Sequence, residues 1–93
     1  MTSLDSKVHV PEDVQFRELE TEAVILDLRS GTYFGLDPVG TRMWSLLAQY
    51  GCIRPAYEVL VEEYDVSEQR LQQDLLDLVE KLATHGLLQV DHA

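Results

Sequence analysis

The chain predicts an α+β domain in which a three-stranded antiparallel sheet is followed by three helices, a winged helix-turn-helix-like order. Three observations carry that expectation. Residues 14–36 hold three short β-rich runs separated by turn residues, and Asp37-Pro38 reads as a helix start. From there to His85 the apolar residues recur at helical spacing instead of alternating. Ninety-three residues, 45% apolar and 26% charged, suit a single small domain over 1–93 with an ordered core at about residues 10–90.

Residues 1–6 lack any periodic pattern and are expected to fray. Lys7-Val8-His9-Val10 alternates briefly before Pro11. Residues 14–19 form the first strand, with Val14 and Phe16 on one face, and Glu20-Thr21 is its turn. Residues 22–28 put Val24, Leu26 and Leu28 on one face and Ala23, Ile25 and Asp27 on the other, apolar enough on both for the middle of a sheet. Arg29-Ser30-Gly31 turns the chain, Gly31 tolerating positive φ, and residues 32–36 return as the third strand. That strand is the last of the β region, so its outer edge is a place where an extended peptide could add itself.

Asp37 fits an N-cap and Pro38 the first helical position, where the missing N–H had no partner to lose. Val39, Met43, Leu46, Leu47 and Tyr50 keep helical spacing, Trp44 widens the buried face, and Gly51 stops the helix. A second helix is expected to enter at Pro55, with Ala56, Tyr57, Leu60, Val61 and Tyr64 as its stripe, and to end near Asp65-Val66. Ser67 caps a third and longest helix, with Glu68 in its first turn, ending near His85 before Gly86. Leu71, Leu75, Leu78 and Leu82 share one line on it, and Leu76, Val79 and Ala83 lie beside that line. Their sector spans roughly 160°, wide enough for a helix that packs with one flank and lines a groove with the other. Residues 87–90 make a short extended tail.

Charge and composition exclude several function classes. The net charge of -10 repels phosphate backbones and anionic membranes and favours a neutral or basic partner. The third helix carries Glu68, Asp74, Asp77 and Glu80 against Arg70 and Lys81, the wrong sign for a DNA-recognition helix, which weighs against a winged-helix DNA-binding regulator. Cys52 is the single cysteine, so no intramolecular disulfide forms, and a reducing cytoplasm is the expected compartment. No signal-peptide pattern and no apolar run near ~20 residues is present, so no membrane insertion is expected.

Catalytic candidates are scattered. His9 and His92 lie near the termini and His85 at a helix end, and Ser3, Ser6, Ser30, Ser45 and Ser67 have no nucleophile context. The neighbours Glu12-Asp13 and Glu62-Glu63 point apart on strand or helix. No histidine-cysteine spacing suggests a metal and no glycine-rich loop a phosphate, so neither enzyme activity nor a metal or cofactor is expected. Trp44 and Tyr50 read as core, since no basic residues interleave with them to hold a nucleic-acid backbone.

The run Gly31-Thr32-Tyr33-Phe34-Gly35-Leu36-Asp37-Pro38-Val39-Gly40-Thr41-Arg42-Met43-Trp44 resembles the signature segment of the PqqD-like family. The junction Tyr64-Asp65-Val66-Ser67-Glu68 and the ending Leu82-Ala83-Thr84-His85-Gly86-Leu87-Leu88 match that family's layout, in an order that covers about residues 10–90. Asp37 departs from the asparagine of many relatives, but both residues cap a helix. The resemblance implies a non-catalytic recognition element for ribosomally made, modified peptides, which binds the leader region of a precursor peptide and presents it to a processing enzyme. The wording of residues 33–38 is most similar to the stand-alone recognition proteins of lasso-peptide pathways, whose implied partners are a leader peptidase and a cyclase. The alternative is a PqqD-type peptide chaperone of pyrroloquinoline quinone biosynthesis or of another modified peptide.

In that family the leader lies as an added strand between the third strand and the third helix. Carried over, the backbone of Thr32, Tyr33, Phe34, Gly35 and Leu36 is the implied hydrogen-bonding rail. The side chains of Tyr33, Phe34 and Leu36, with Leu71, Leu75, Leu78 and Val79 from the helix, are the implied groove, and Asp74 a rim partner for a basic leader residue.

Overall fold

The computed structural model describes residues 2–91; the expectations that fall on Met1 and His92 lie outside the described residues. In chain order the elements are β1 (Lys7–His9), β2 (Val14–Leu19), β3 (Glu22–Asp27), β4 (Thr32–Leu36), α1 (Pro38–Tyr50), α2 (Ile53–Glu63), α3 (Glu68–Thr84) and β5 (Gln89–Asp91). β2, β3 and β4 form the expected antiparallel meander, in that order, and three helices follow. β1 and β5 form a separate two-stranded ribbon.

Alternation decides which side of the meander is buried. The register sets Phe16 opposite Ile25, Ile25 opposite Phe34, and Ala23 opposite Leu36, so these side chains share the inner face. α1 lies against it, with Met43, Trp44, Leu46 and Leu47 buried and Phe16 stacked on Trp44 at 6.1 Å between ring centroids. Leu60 of α2 and Leu75, Val79 and Leu82 of α3 complete a core in which each fully buried aliphatic side chain contributes about 1.5 to 3 kcal/mol. The outer face carries Val24, Leu26 and an exposed Tyr33.

The β3–β4 turn is organised by Asp27. Its carboxylate accepts the backbone N–H of Arg29 at 3.0 Å, and its carbonyl accepts the N–H of Gly31 at 2.9 Å. Gly31 has φ 73°, the left-handed conformation that a side chain would resist. β4 then runs into α1 without a loop: the Asp37 carboxylate accepts the N–H of Gly40 at 2.7 Å and Pro38 opens the helix.

Two expectations are corrected by the N-terminal segment. Residues 2–6 do not fray, because Leu4 and Ser6 are buried and Arg54 Nε donates to Asp5 at 2.9 Å. β1 then pairs with β5, which turns the expected tail into a strand. α2 starts at Ile53, two residues before Pro55, because the Ile53 N–H finds the Ser6 carbonyl at 3.3 Å while Cys52 offers no side-chain cap. Pro55 sits within the first turn, where its lack of an N–H costs nothing. α2 also ends earlier than expected, at Glu63, with the Tyr64 N–H bonded to the Leu60 carbonyl.

Removal of the α1 cap in Asp37→Ala should lower stability by about 1 kcal/mol in urea melts, whereas Asp37→Asn, which keeps an acceptor, should change it by only a few tenths. The Asp27 carboxyl is held below the usual carboxylate range, first by the Arg29 backbone N–H and then, against a smaller effect of burial, by side-chain bonds from Arg29 and Ser30. A carboxyl whose folded pKa is depressed stabilises above its unfolded pKa, and the gain disappears as pH falls through the folded value. The stability gap between the native chain and Asp27→Asn should therefore be present at pH 7 and close below about pH 4, as followed by melts across pH.

Candidate functional site

A sheet of three strands with one face packed has two edges, and β4 is the edge that opens toward α3. The helix runs opposite in direction to the strand: its later residues Lys81 and His85 meet Phe34, while its earlier Asp74 and Leu78 lie beside Asp37 and Gly40. Between them the β4 backbone is unpaired on its outer side, a row of N–H and C=O groups available to another chain. The other edge, β2, borders a separate hollow of about 450 Å³ lined by Val10, Val14, Phe16, Trp44, Ser45 and Ala48.

The site continues past the end of β4 as two adjoining hollows between α1 and α3, of about 350 Å³ and about 480 Å³. Val39, Met43 and Asp74 line both of them. Leu78 closes the nearer hollow and Leu71 and Val66 the farther. Val39 and Val66 are 41% and 53% exposed, apolar surface that water would leave if a side chain entered. Asp74 stands at the junction, with Arg70 Nε at 4.0 Å.

The sequence-predicted residues divide accordingly. Thr32 and Gly35 sit exposed on the β4 edge, Phe34 is half-buried facing α3, and Leu36 is buried at the strand's end. Leu71 and Asp74 line the farther hollow, and Leu78 is half-buried in the wall. Three expectations need correction. Leu75 and Val79 are wholly buried behind the wall and offer it no surface, because at 100° per residue they point to the core side of α3. Tyr33, 76% exposed, lies on the outer face of the sheet, since neighbouring residues on a strand point to opposite sides.

Sequence reasoning missed Val39, Met43 and Val66 as lining, and Lys81 and His85 at the other end. The Lys81 ammonium lies 5.6 Å from the Phe34 ring centroid, and the His85 ring meets Phe34 edge-on at 5.4 Å. A signal for these two existed: Asp74, Leu78, Lys81 and His85 follow the i, i+4, i+7, i+11 spacing of one helix face. Among the described residues no group of three or more histidine, cysteine or acidic side chains is placed to hold a metal ion. No described helix is long and apolar enough to cross a membrane.

Comparison with known proteins gives this geometry a context. The model of the family described as Coenzyme PQQ synthesis protein D (PqqD) matches residues 22–88. The solved structure of TbiB1 in complex with the TbiA(beta) leader peptide is 36% identical, with a TM-score of 0.81, covering 86% of this chain and 93% of that one. The structure of a lasso peptide synthetase B1 complexed with the leader peptide has the same fold, at 22% identity and a TM-score of 0.81, covering 89% of this chain and 98% of that one. No curated protein matches the sequence.

The division between core and wall has a direct test in urea denaturation. Leu75→Ala should cost about 2 to 5 kcal/mol, as a buried leucine leaves a cavity. Leu78→Ala, at a half-buried position, should cost about 1 kcal/mol or less.

Proposed function

The chain belongs to the PqqD family, and from that premise we propose that it binds the leader region of a ribosomal precursor peptide by strand addition along β4 and presents it to processing enzymes. The observation that carries this reading is the unpaired β4 edge, whose Phe34 meets α3 and beyond whose end a hollow lined by Val39, Met43 and Leu78 lies between α1 and α3. The solved relatives support it, since both are described as complexes with leader peptides. The domain acts by binding and does no chemistry of its own, as is the rule for recognition elements of its family.

In this arrangement the backbone of Thr32, Tyr33, Phe34, Gly35 and Leu36 supplies the hydrogen bonds, each contributing a net ~0.5 to 1.5 kcal/mol. Alternate side chains of the added strand point into the groove, against Phe34 and Leu78, and outward, beside Tyr33. The hollow beyond Leu36, lined by Val39, Met43 and Leu71, accepts an apolar anchor of the leader. A full set of such contacts, less the cost of ordering the peptide, supports micromolar to nanomolar binding. Leu75 and Val79 hold the wall in place from behind.

The finer assignment is lasso-peptide biosynthesis, with a separate leader peptidase and a cyclase as the enzymes served; the wording of residues 33–38 and the likeness to a lasso peptide synthetase B1 support it. The match to the coenzyme PQQ synthesis family keeps a second reading open, a peptide chaperone of pyrroloquinoline quinone biosynthesis. The two readings differ in which precursor is bound.

An amide-resolved NMR titration with the leader segment of a precursor encoded beside the gene tests the reading. Saturable shifts should concentrate at residues 32–36 and at Asp74, Leu78 and Lys81, and folded Leu78→Asp should weaken binding by about tenfold or more, roughly 1.4 kcal/mol. Absence of shifts with several candidate leaders and a folded protein would overturn it.

A further inference from the structure

The groove has two electrically different ends. Asp37 and Asp74 stand where β4 gives way to α1, and Lys81 and His85 stand over Phe34 toward the strand's beginning. Arg29 reaches the same end, donating to the Gly86 carbonyl at 3.4 Å, but its charge is met there by Asp27 at 3.4 Å and Asp13 at 3.8 Å. In a chain of net charge -10 with seven lysines and arginines, a lysine set at one end of this groove calls for an explanation.

Lys81 is the informative member. Arg29, Arg42, Arg54 and Arg70 each sit within ion-pair distance of a carboxylate, whereas Lys81, like Lys7 and Arg17, forms no ion pair among the described residues, and of these three Lys81 is the one set against the ring of Phe34. Its natural partner one turn back, Asp77, is engaged instead by Gln73 Nε2 at 2.8 Å. His85 is fixed beside it, since its Nδ1 lies 2.8 Å from the Lys81 carbonyl. The ammonium is therefore held over an aromatic ring at the mouth of the groove with its charge uncompensated.

Resting on the strand-addition reading above, we propose that Lys81, braced by His85 and Phe34, binds a carboxylate side chain of the incoming peptide, and that the opposed charges of Asp74 and Lys81 set the peptide's direction. Seven residues of α3 separate the two, a rise of about 10 Å, which an extended peptide covers in two to four residues. The peptide class is thus a strand with a basic side chain and an acidic one at that spacing. Added antiparallel to β4, it carries the basic residue first, because α3 and β4 run in opposite directions. Without Lys81 the acidic surface of this protein would repel such a carboxylate.

The test is calorimetric titration of the same leader segment, together with peptides in which each Asp or Glu is changed in turn to Asn or Gln. Lys81→Gln, folded by its amide spectrum, should weaken binding about five- to tenfold, and more at low salt than at high salt. Against one particular neutralised peptide that difference should vanish, and Lys81→Glu should regain affinity for the peptide carrying Lys at that position. Unchanged binding by Lys81→Gln alongside lost binding by Leu78→Asp would overturn the carboxylate site and leave the groove standing. A loss equal for every peptide and insensitive to salt would assign Lys81 to packing and also overturn it. If neither variant alters binding, the groove reading fails and this site with it.

Discussion

The contact on which the arrangement depends is the one between the Asp37 carboxylate and the Gly40 N–H, 2.7 Å long, at a junction with no loop. It fixes the angle at which α1 leaves the last strand. A helix leaving at that point covers the inner face of the sheet and stops short of its edge, so β4 is supported from below and open at the side. The approach is close: a Cβ at Gly40 would lie 3.1 Å from the Asp37 carboxylate oxygen and 3.3 Å from Leu36 Cδ2. A side chain there would press on both groups, so glycine suits the position by contact distance, independent of any unusual backbone angle. The same junction delivers Val39 and Met43 to the space beside Asp74 and Leu78, so one capping bond shapes both the rail and the hollow that continues it.

Most of the fold was legible because it is written in short-range signals. Alternation at Val14 and Phe16 and the apolar run of residues 22–28 marked the strands, without saying which face of the middle one is inner, and Asp37-Pro38, Ser67 and Gly86 marked helix ends by local chemistry. What escaped were features that need a partner far along the chain. β1 exists because of β5, and α2 begins where it does because Ser6 supplies an acceptor. The candidate site was half legible. A leucine stripe some 160° wide identifies α3 as important without saying which flank faces inward, so Leu75 and Val79 could not be separated from Leu78. Lys81 was lost for a different reason: the helix's charges, summed, argue against nucleic acid, but their order along one face carries the information about a peptide.

An open strand edge is ordinarily a hazard, since identical edges pair with one another. Here the net charge of -10 gives copies of the chain a mutual repulsion that acts before their edges meet. A peptide carrying basic residues experiences the opposite field. The acidity that weighs against nucleic acid thus also opposes the pairing of one copy's edge with another's.

The ribbon of β1 and β5 sets Lys7 opposite Asp91, so the chain enters and leaves the described unit through adjacent strands about 5 Å apart. Neither of those strands contributes a residue to the groove. A unit built this way is portable: spliced between two residues of a larger protein, it would stretch the host's backbone hardly at all, and its working surface would stay turned to one side of the suture. The short ribbon, which does nothing for recognition, is what would let evolution or an engineer move recognition from one enzyme to another.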